Sequence, residues 1–344
     1  MGQLCYPWDK KEIKYMILIC YGTRPEWIKV KPIIEAMKVE GLKFKTLFTG
    51  QHKDIIYDIA DYNHDIEDIS DNRLNNIFSS VLNIDRKVFE NITHIIVQGD
   101  TTSVVSLAMN AYHRGIKVIH LEAGLRTYDF ENPFPEEMNR QIVGRIADIN
   151  LCPTELNKQN LLKENTRGEI YVVGNTVLDN IRDISTSYED KVLVTLHRRE
   201  NHDIIDKWFY EISKLAEVNR NIEFILPIHP NPNVIKHKDI LRFVNVVDPL
   251  KHSDLIKIMS KCKLIITDSG GIQEEGSFLN KKIIVCRKVT ERPETLNINS
   301  FLCGEPSGLN EIFNNIIKYY KVSGECPYGD GYSAEKIVKI LKKL

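Results

Sequence analysis

No apolar run in the sequence approaches the length of a membrane span. The first residues, Met1-Gly-Gln-Leu-Cys-Tyr-Pro-Trp-Asp-Lys-Lys, lack the apolar core of a secretion signal. Neither sign of charge is in excess, with 46 Lys and Arg against 47 Asp and Glu. That balance argues against a general nucleic-acid or membrane-surface binder, although a local basic cluster can still hold phosphate. The seven cysteines include no Cys-x-x-Cys pair. Cys20 and Cys286 sit in apolar runs and read as small core residues, and the odd, scattered set suits a reducing compartment. The ten histidines contain no His-x-x-x-His, nor any His/Cys set with ligand spacing, so no metal is expected. Repeats and low-complexity segments are also missing. From these absences a cytoplasmic chain is expected, with neither a nucleic-acid nor a membrane partner.

What is present is alternation. The 344 residues are enough for two domains. Short apolar segments near 15–20, 44–48, 94–98, 117–121, 148–152, 170–173, 191–196, 223–228, 244–247, 263–267 and 282–286 read as strands, with helical stretches between most of them. Such a pattern predicts α/β structure, with parallel sheets covered on both faces. The strands are too many for one ordinary sheet, so two doubly wound sheets are expected. The polar stretch 179–190 is the expected boundary, and residues 1–14 read as an irregular extension.

Polar clusters follow the strands. They are Gly22-Thr23-Arg24, Gly50-Gln51-His52, Gly99-Asp100-Thr101-Thr102, Glu122 to Arg126, His197-Arg198-Arg199, His229-Pro230-Asn231 and Asp268-Ser269-Gly270-Gly271. In open α/β sheets ligands bind beyond the carboxyl ends of the strands, so the clusters point to one cleft shared by two sheets. The last is the most informative. A strand passing through glycines into a helix presents free N–H groups and a positive dipole end, which suits phosphate. Gly270 and Gly271 allow close approach, and Glu275 lies about one turn on, where it could hold ribose hydroxyls. A well-capped helix start is the plainer alternative. Thr23 and Glu26 have capping-box spacing, but Arg24 puts like charge at a positive helix end unless an anion is there, and Lys29 follows a turn later.

Asp100 and Glu122 each end a strand. Glu136 and Arg140 share one face of a helix opening at Pro135, opposite an expected buried stripe of Met138, Ile142 and Ile146. Turn capping or a first-turn acid would explain each carboxylate alone. Convergence of all three would raise at least one pKa and supply a proton donor beside an acceptor.

Eleven segments resemble the non-hydrolysing UDP-N-acetylglucosamine 2-epimerases. They are Gly-Thr-Arg-Pro-Glu at 22–26, Thr-Gly-Gln-His at 49–52, Gln-Gly-Asp-Thr-Thr at 98–102, His-Leu-Glu-Ala-Gly-Leu-Arg-Thr at 120–127, Pro-Phe-Pro-Glu-Glu-Met-Asn-Arg at 133–140, Gly-Asn-Thr-Val-Leu-Asp at 174–179, His-Arg-Arg-Glu-Asn at 197–201, His-Pro-Asn-Pro-Asn at 229–233, Thr-Asp-Ser-Gly-Gly-Ile-Gln-Glu-Glu at 267–275, Thr-Glu-Arg-Pro-Glu at 290–294 and Pro-Tyr-Gly-Asp-Gly at 327–331. The resemblance runs in order from about residue 15 to the C-terminus. It implies two Rossmann-like domains facing a cleft (the glycosyltransferase-B architecture), spanning 15–182 and 183–331, with a helix at 332–344 crossing back to the first. A homodimer, a UDP-sugar substrate and no cofactor are also implied. Ser269, Gly270, Gly271 and Arg292 would hold the diphosphate with Arg24 and Lys29, and Glu275 the ribose. Asp100, Glu122 and Glu136 would be the catalytic acids, oriented by Arg140, with His197 against the diphosphate.

Some bacterial members bind a second UDP-GlcNAc as activator, which here would involve Gln51, His52 and His229. The chain departs from the family pattern between Asn63 and Ile84, where it is shorter and carries Asp71-Asn72-Arg73, and Leu196 replaces a small residue before His-Arg-Arg. Other readings of the same residues are a 2-epimerase of a UDP-6-deoxy-N-acetylhexosamine, a glycosyltransferase, a hydrolysing epimerase and a non-catalytic nucleotide-sugar sensor.

Overall fold

A computed structural model describes residues 15–51 and 60–344. The extension read at 1–14 and the candidate effector residue His52 lie outside the described residues. The first sheet contains β1 (Ile17–Tyr21), β2 (Phe44–Phe48), β3 (Tyr62–Asn63), β4 (His94–Gln98), β5 (Lys117–Leu121), β6 (Ile149–Cys152) and β7 (Glu169–Val172). The second contains β8 (Lys191–Thr195), β9 (Glu223–Pro227), β10 (Asn245–Val247), β11 (Leu264–Thr267), β12 (Lys282–Val285) and β13 (Ser300–Leu302). Strand order is β3-β2-β1-β4-β5-β6-β7 in one and β10-β9-β8-β11-β12-β13 in the other. All the pairings are parallel; Ile17–Tyr21 lies opposite Phe44–Phe48, and Leu264–Thr267 opposite Val192–Thr195.

Both sheets are doubly wound. The helices are α1 (Arg24–Val39), α2 (Arg73–Leu82), α3 (Thr102–His113), α4 (Glu136–Ile146), α5 (Glu155–Lys163), α6 (Ile205–Val218), α7 (Pro232–Ile235), α8 (His252–Lys261), α9 (Gly270–Phe278), α10 (Leu309–Ile316) and α11 (Ser333–Leu341). On one face of the first sheet, Ile77 and Val81 of α2, Val104 and Leu107 of α3 and Val143 of α4 pack against Leu18, Ile95 and Val118. On the other face, Ile33 and Met37 of α1 pack with Ile337, Val338 and Leu341 of α11 against Ile19, Ile96 and Ile119. The last helix thus returns to the first sheet. The second sheet is covered by α6 and α10 through Trp208, Phe209 and Phe313. Its opposite face takes α8 and α9 through Ile256, Met259 and Ile272. Burial on both faces is why these strands read as unbroken apolar runs rather than alternating ones.

Each of the eleven segments read as strands is a strand, with ends that agree to within two residues. The two extra strands, β3 and β13, are short edge strands. The burial of α4 differs from the expected pattern. The apolar stripe of α4 is not its buried face: Met138 is exposed, and Ile142 and Ile146 are only partly buried. The buried side instead carries Glu137, Arg140, Val143 and Gly144. Glu137 can be buried because its carboxylate accepts from Thr127 N at 2.9 Å, Tyr128 N at 3.2 Å, Gln141 at 3.0 Å and Arg140 at 3.2 Å.

Candidate active site

In each sheet the strand order reverses beside the first strand, between β1 and β4 and between β8 and β11. These are the places where a crevice opens beyond the strand ends. From the first sheet come Arg24 after β1, Asp100 after β4 and Glu122 after β5; from the second come His197 after β8 and Asp268 and Ser269 after β11.

Glu122 is at the centre. It adopts a φ of 65°, in the left-handed region that a residue with a side chain enters at a cost. Four donors hold its carboxylate there. Oε2 accepts from Lys29 Nζ and Gln98 Nε2, and Oε1 from Arg292 Nη2 at 3.1 Å and Asn175 Nδ2 at 3.4 Å. Burial pushes the carboxyl up, but Lys29 and Arg292 outweigh it and hold the group below the ordinary carboxylate range. Lys29, also buried, is kept cationic by Glu122 and Glu274.

Arg292 is the counterpart from the second half. Its Nε donates to Glu274 at 2.6 Å, its Nη1 to Glu291 and its Nη2 to Glu122. Gly270, the first residue of α9, lies against this guanidinium. Arg292 therefore stands beside the helix start that the sequence marks for a diphosphate. Glu291 also takes Arg287 at 2.8 Å and lies 4.0 Å from Arg140. Burial would raise its pKa, yet these guanidinium groups hold it well below the usual value.

Arg140 connects the three expected acids. Its Nε and Nη2 both lie 2.7 Å from Asp100 Oδ2, and its charge lowers the pKa of Glu122 and of Glu136. Asn139 fixes the Asp100 carbonyl at 2.8 Å. Glu136 is raised, first by burial and then by the charge of Asp100. Its Oε2 is buried without a hydrogen-bond partner among the described residues. The acids thus differ in direction, Glu122 being shifted down and Glu136 up.

His197 is held from behind by Asp268, which accepts His197 N at 3.0 Å, Arg198 N at 2.9 Å and Asn201 Nδ2 at 3.0 Å. Its ring stacks on His229 with centroids 5.2 Å apart and planes 13° from parallel. Burial lowers the pKa of both rings, and Arg24 adds to the effect at His229. The residue read as catalytic and the one read as an effector ligand are therefore neighbours. Gln51 follows β2, its carbonyl taking Arg73 at 3.0 Å and its Oε1 buried without a partner among the described residues. Arg24 is exposed at the start of α1. Ser269 caps α9 without a side-chain bond, leaving its hydroxyl free of that duty. Glu275 turns to His252, 2.6 Å away. Residues that sequence reasoning did not single out for the site are Gln98, Asn175, Glu274 and Glu291. All four lie within the quoted motifs, so the signal was present, but not the side-chain direction.

Comparison with known proteins gives a consistent result. The family model described as UDP-N-acetylglucosamine 2-epimerase matches residues 35–342. A Campylobacter jejuni protein named UDP-N-acetylglucosamine 2-epimerase is 37% identical, over 95% of this chain and 97% of its own. The crystal structure of the Neisseria meningitidis UDP-GlcNAc 2-epimerase bound to UDP-GlcNAc superposes with a TM-score of 0.87 at 32% identity, covering 96% of this chain and 100% of that one. Acinetobacter baumannii MurG, at 11% identity and a TM-score of 0.58 over 96% of this chain and 100% of its own, shares the fold alone. With the match spanning nearly its whole length, the chain belongs to the UDP-N-acetylglucosamine 2-epimerase family.

Proposed function

We propose that the protein interconverts UDP-GlcNAc and UDP-ManNAc by anti elimination and re-addition of UDP. The observation that carries this reading is the cross-cleft junction. Glu122 and Asp100, from loops of the first sheet, meet Arg292 and Glu291, from the loop after β12, through the 3.1 Å bond between Arg292 and Glu122 and the bridging Arg140. Residues 15–182 serve as the acid-bearing domain, 183–331 as the nucleotide-holding domain, and 332–344 as the strap between them.

Carbon 2 of an N-acetylhexosamine has no adjacent carbonyl, so its proton is hard to remove directly. In the proposed step a carboxylate takes that proton, the carbon 1–oxygen bond breaks, and UDP departs with the electron pair. A carbon 1–carbon 2 double bond remains, a 2-acetamidoglucal. The N–H groups at the start of α9, with Arg24, Lys29, Arg292 and His197, stabilise the departing diphosphate. The arriving diphosphate competes with Glu122 for Lys29 and Arg292, which makes Glu122 more basic when substrate is present. Glu136 holds a proton for return to the opposite face. UDP then adds back to carbon 1, and the cycle is redox-neutral. Enclosure between the domains keeps water from the glycal. The cytoplasmic location and the homodimer belong to this reading; light scattering should give twice the mass of one chain.

The test is incubation with UDP-GlcNAc in deuterium oxide, followed by NMR of the anomeric and carbon 2 protons. The expected result is deuterium at carbon 2 with growth of UDP-ManNAc. Release of free ManNAc would mark a hydrolysing enzyme, and binding without exchange would mark a sensor; either result overturns the proposal.

A further inference from the structure

Glu274 is almost wholly enclosed on α9, at 1% exposure. It shares two donors with Glu122. Arg292 gives Nε to Glu274 at 2.6 Å and Nη2 to Glu122 at 3.1 Å. Asn175 gives Nδ2 to Glu274 at 2.8 Å and to Glu122 at 3.4 Å. Both donors are fixed from their other sides. Asn175 Oδ1 accepts Val177 N at 3.1 Å, which sets the direction of its NH2 group, and its backbone N–H is held by Tyr328 at 2.7 Å. The remaining arm of Arg292 is on Glu291. The two carboxylates therefore face each other through one guanidinium and one amide.

We propose that Glu274 is a positioning residue for Glu122, aiming it through the two donors that the carboxylates share. A neutral amide in its place offers one oxygen to two donors, so either Arg292 Nε or Asn175 Nδ2 loses its nearer acceptor. The released donor then turns toward Glu122, whose carboxylate is drawn off the line set by Lys29 and Gln98. The charges acting on Glu274 and the groups its charge reaches are Lys29 from α1, Glu122 after β5, Arg292, and Cys326 and Tyr328 before α11. Burial lifts Glu274 to about 7, against the pull of Arg292 and Lys29 and with the help of Glu122. An ionisation near neutrality is thus expected in the wild-type profile.

The inference rests on the epimerase reading, so wild-type carbon 2 exchange is measured first. No exchange by the wild type overturns that reading and this inference with it. With an active wild type, Glu274→Gln decides the inference alone. The expected outcome is a kcat lowered by about tenfold or more, while the UDP dissociation constant from calorimetry changes by less than about threefold. The ionisation near neutrality should also vanish from the pH profile of kcat/KM. Glu274→Asp, which keeps the charge, should fall between the two. Wild-type kcat with an unchanged profile in Glu274→Gln overturns the inference. So does an equal loss of kcat and UDP affinity, which would make the residue merely structural. If Glu274→Gln does not fold, Asn175→Ser removes the shared amide, and an unchanged kcat there has the same force.

Discussion

The two glycines that open α9 face different surroundings. A methyl group on Gly270 would lie 2.8 Å from Cζ of Arg292 and 3.0 Å from Glu291 Oε1. A guanidinium end usually swings aside, but this one is tied to three carboxylates, so Gly270→Ala should disturb the junction and lower thermal stability as well as turnover. Among the described residues, nothing lies within 4 Å of a methyl on Gly271. Gly271→Ala should melt with the wild type, yet weaken UDP binding by about 10-fold or more if the diphosphate occupies that space. Calorimetry with UDP and a melting curve on both variants separate the cases. Glu136→Gln is the cleanest probe of the acids, because Glu136 Oε2 has no described partner to lose. It should reduce carbon 2 exchange by about 100-fold or more while leaving UDP affinity in place. Gly270 and Gly271 were visible in the sequence as the turn after a strand and Glu136 as an acid on a helix opening at Pro135, whereas Glu274 was passed over for its neighbour Glu275. Residues 272–277 of α9 are all buried, so no amphipathic pattern reveals which glutamate points where. In the structure Glu275 turns to His252 and Glu274 to Arg292.

The helix α11 presents Ala334, Ile337, Val338 and Leu341 to a cluster that includes Ile33, Ile34 and Met37 of α1. Its first N–H groups are not capped by its own residues. Asp179, from the segment joining the two sheets, accepts Ser333 N at 3.1 Å and Ala334 N at 2.8 Å. The helix is thus held by both its apolar stripe and the connection between domains. Ile337→Ala should destabilise by about 2–5 kcal/mol in urea unfolding, as for other fully buried isoleucines. A loss of less than about 1 kcal/mol would mean that the helix contributes little to holding the first sheet. The resemblance implied this helix, and its apolar spacing, Ala334, Ile337, Val338 and Leu341, matches its burial. The same spacing misled in α4, where Met138 is exposed while Glu137 and Arg140 are buried. Hydrogen bonding to the 127–128 backbone and to Asp100 supports those charges. Such compensation comes from chain segments many residues away, which a local periodicity does not register. The edge strands β3 and β13 escaped for a simpler reason: two and three residues are too few to show any period.

Across the whole molecule, the two sheets are joined by charges. Glu122 and Lys29 on one side meet Arg292 on the other, and Arg140 approaches Glu291. Thr154 also reaches Glu294 at 2.5 Å, and Asn180 the carbonyl of Ile28 at 2.9 Å. Arg292 is the common member, and Arg292→Ala would leave Glu122, Glu274 and Glu291 buried without their shared cation. The expected loss is about 3–5 kcal/mol near pH 8. Its pH dependence has a definite sign. In the wild type Glu122 and Glu291 have depressed pKa values, so their contribution to stability is complete above the unfolded carboxylate value of 4.5 and fades only as pH falls through the folded values. In the variant the missing guanidinium no longer opposes burial, so the folded pKa values rise from their wild-type positions, with Lys29 still on Glu122 and Arg287 still on Glu291. Groups raised in this way favour the folded state at low pH, and that advantage is lost as pH rises through the folded values. The deficit of Arg292→Ala should therefore be smaller at pH 5.5 than at pH 8, when urea unfolding of both proteins is compared at the two conditions. A deficit that stays constant would show that the carboxylates have found other cations, and that the junction does not depend on Arg292. A deficit that shrinks, together with a single unfolding transition in the wild type and two in the variant, would identify Arg292 as the group that makes the two sheets unfold as one.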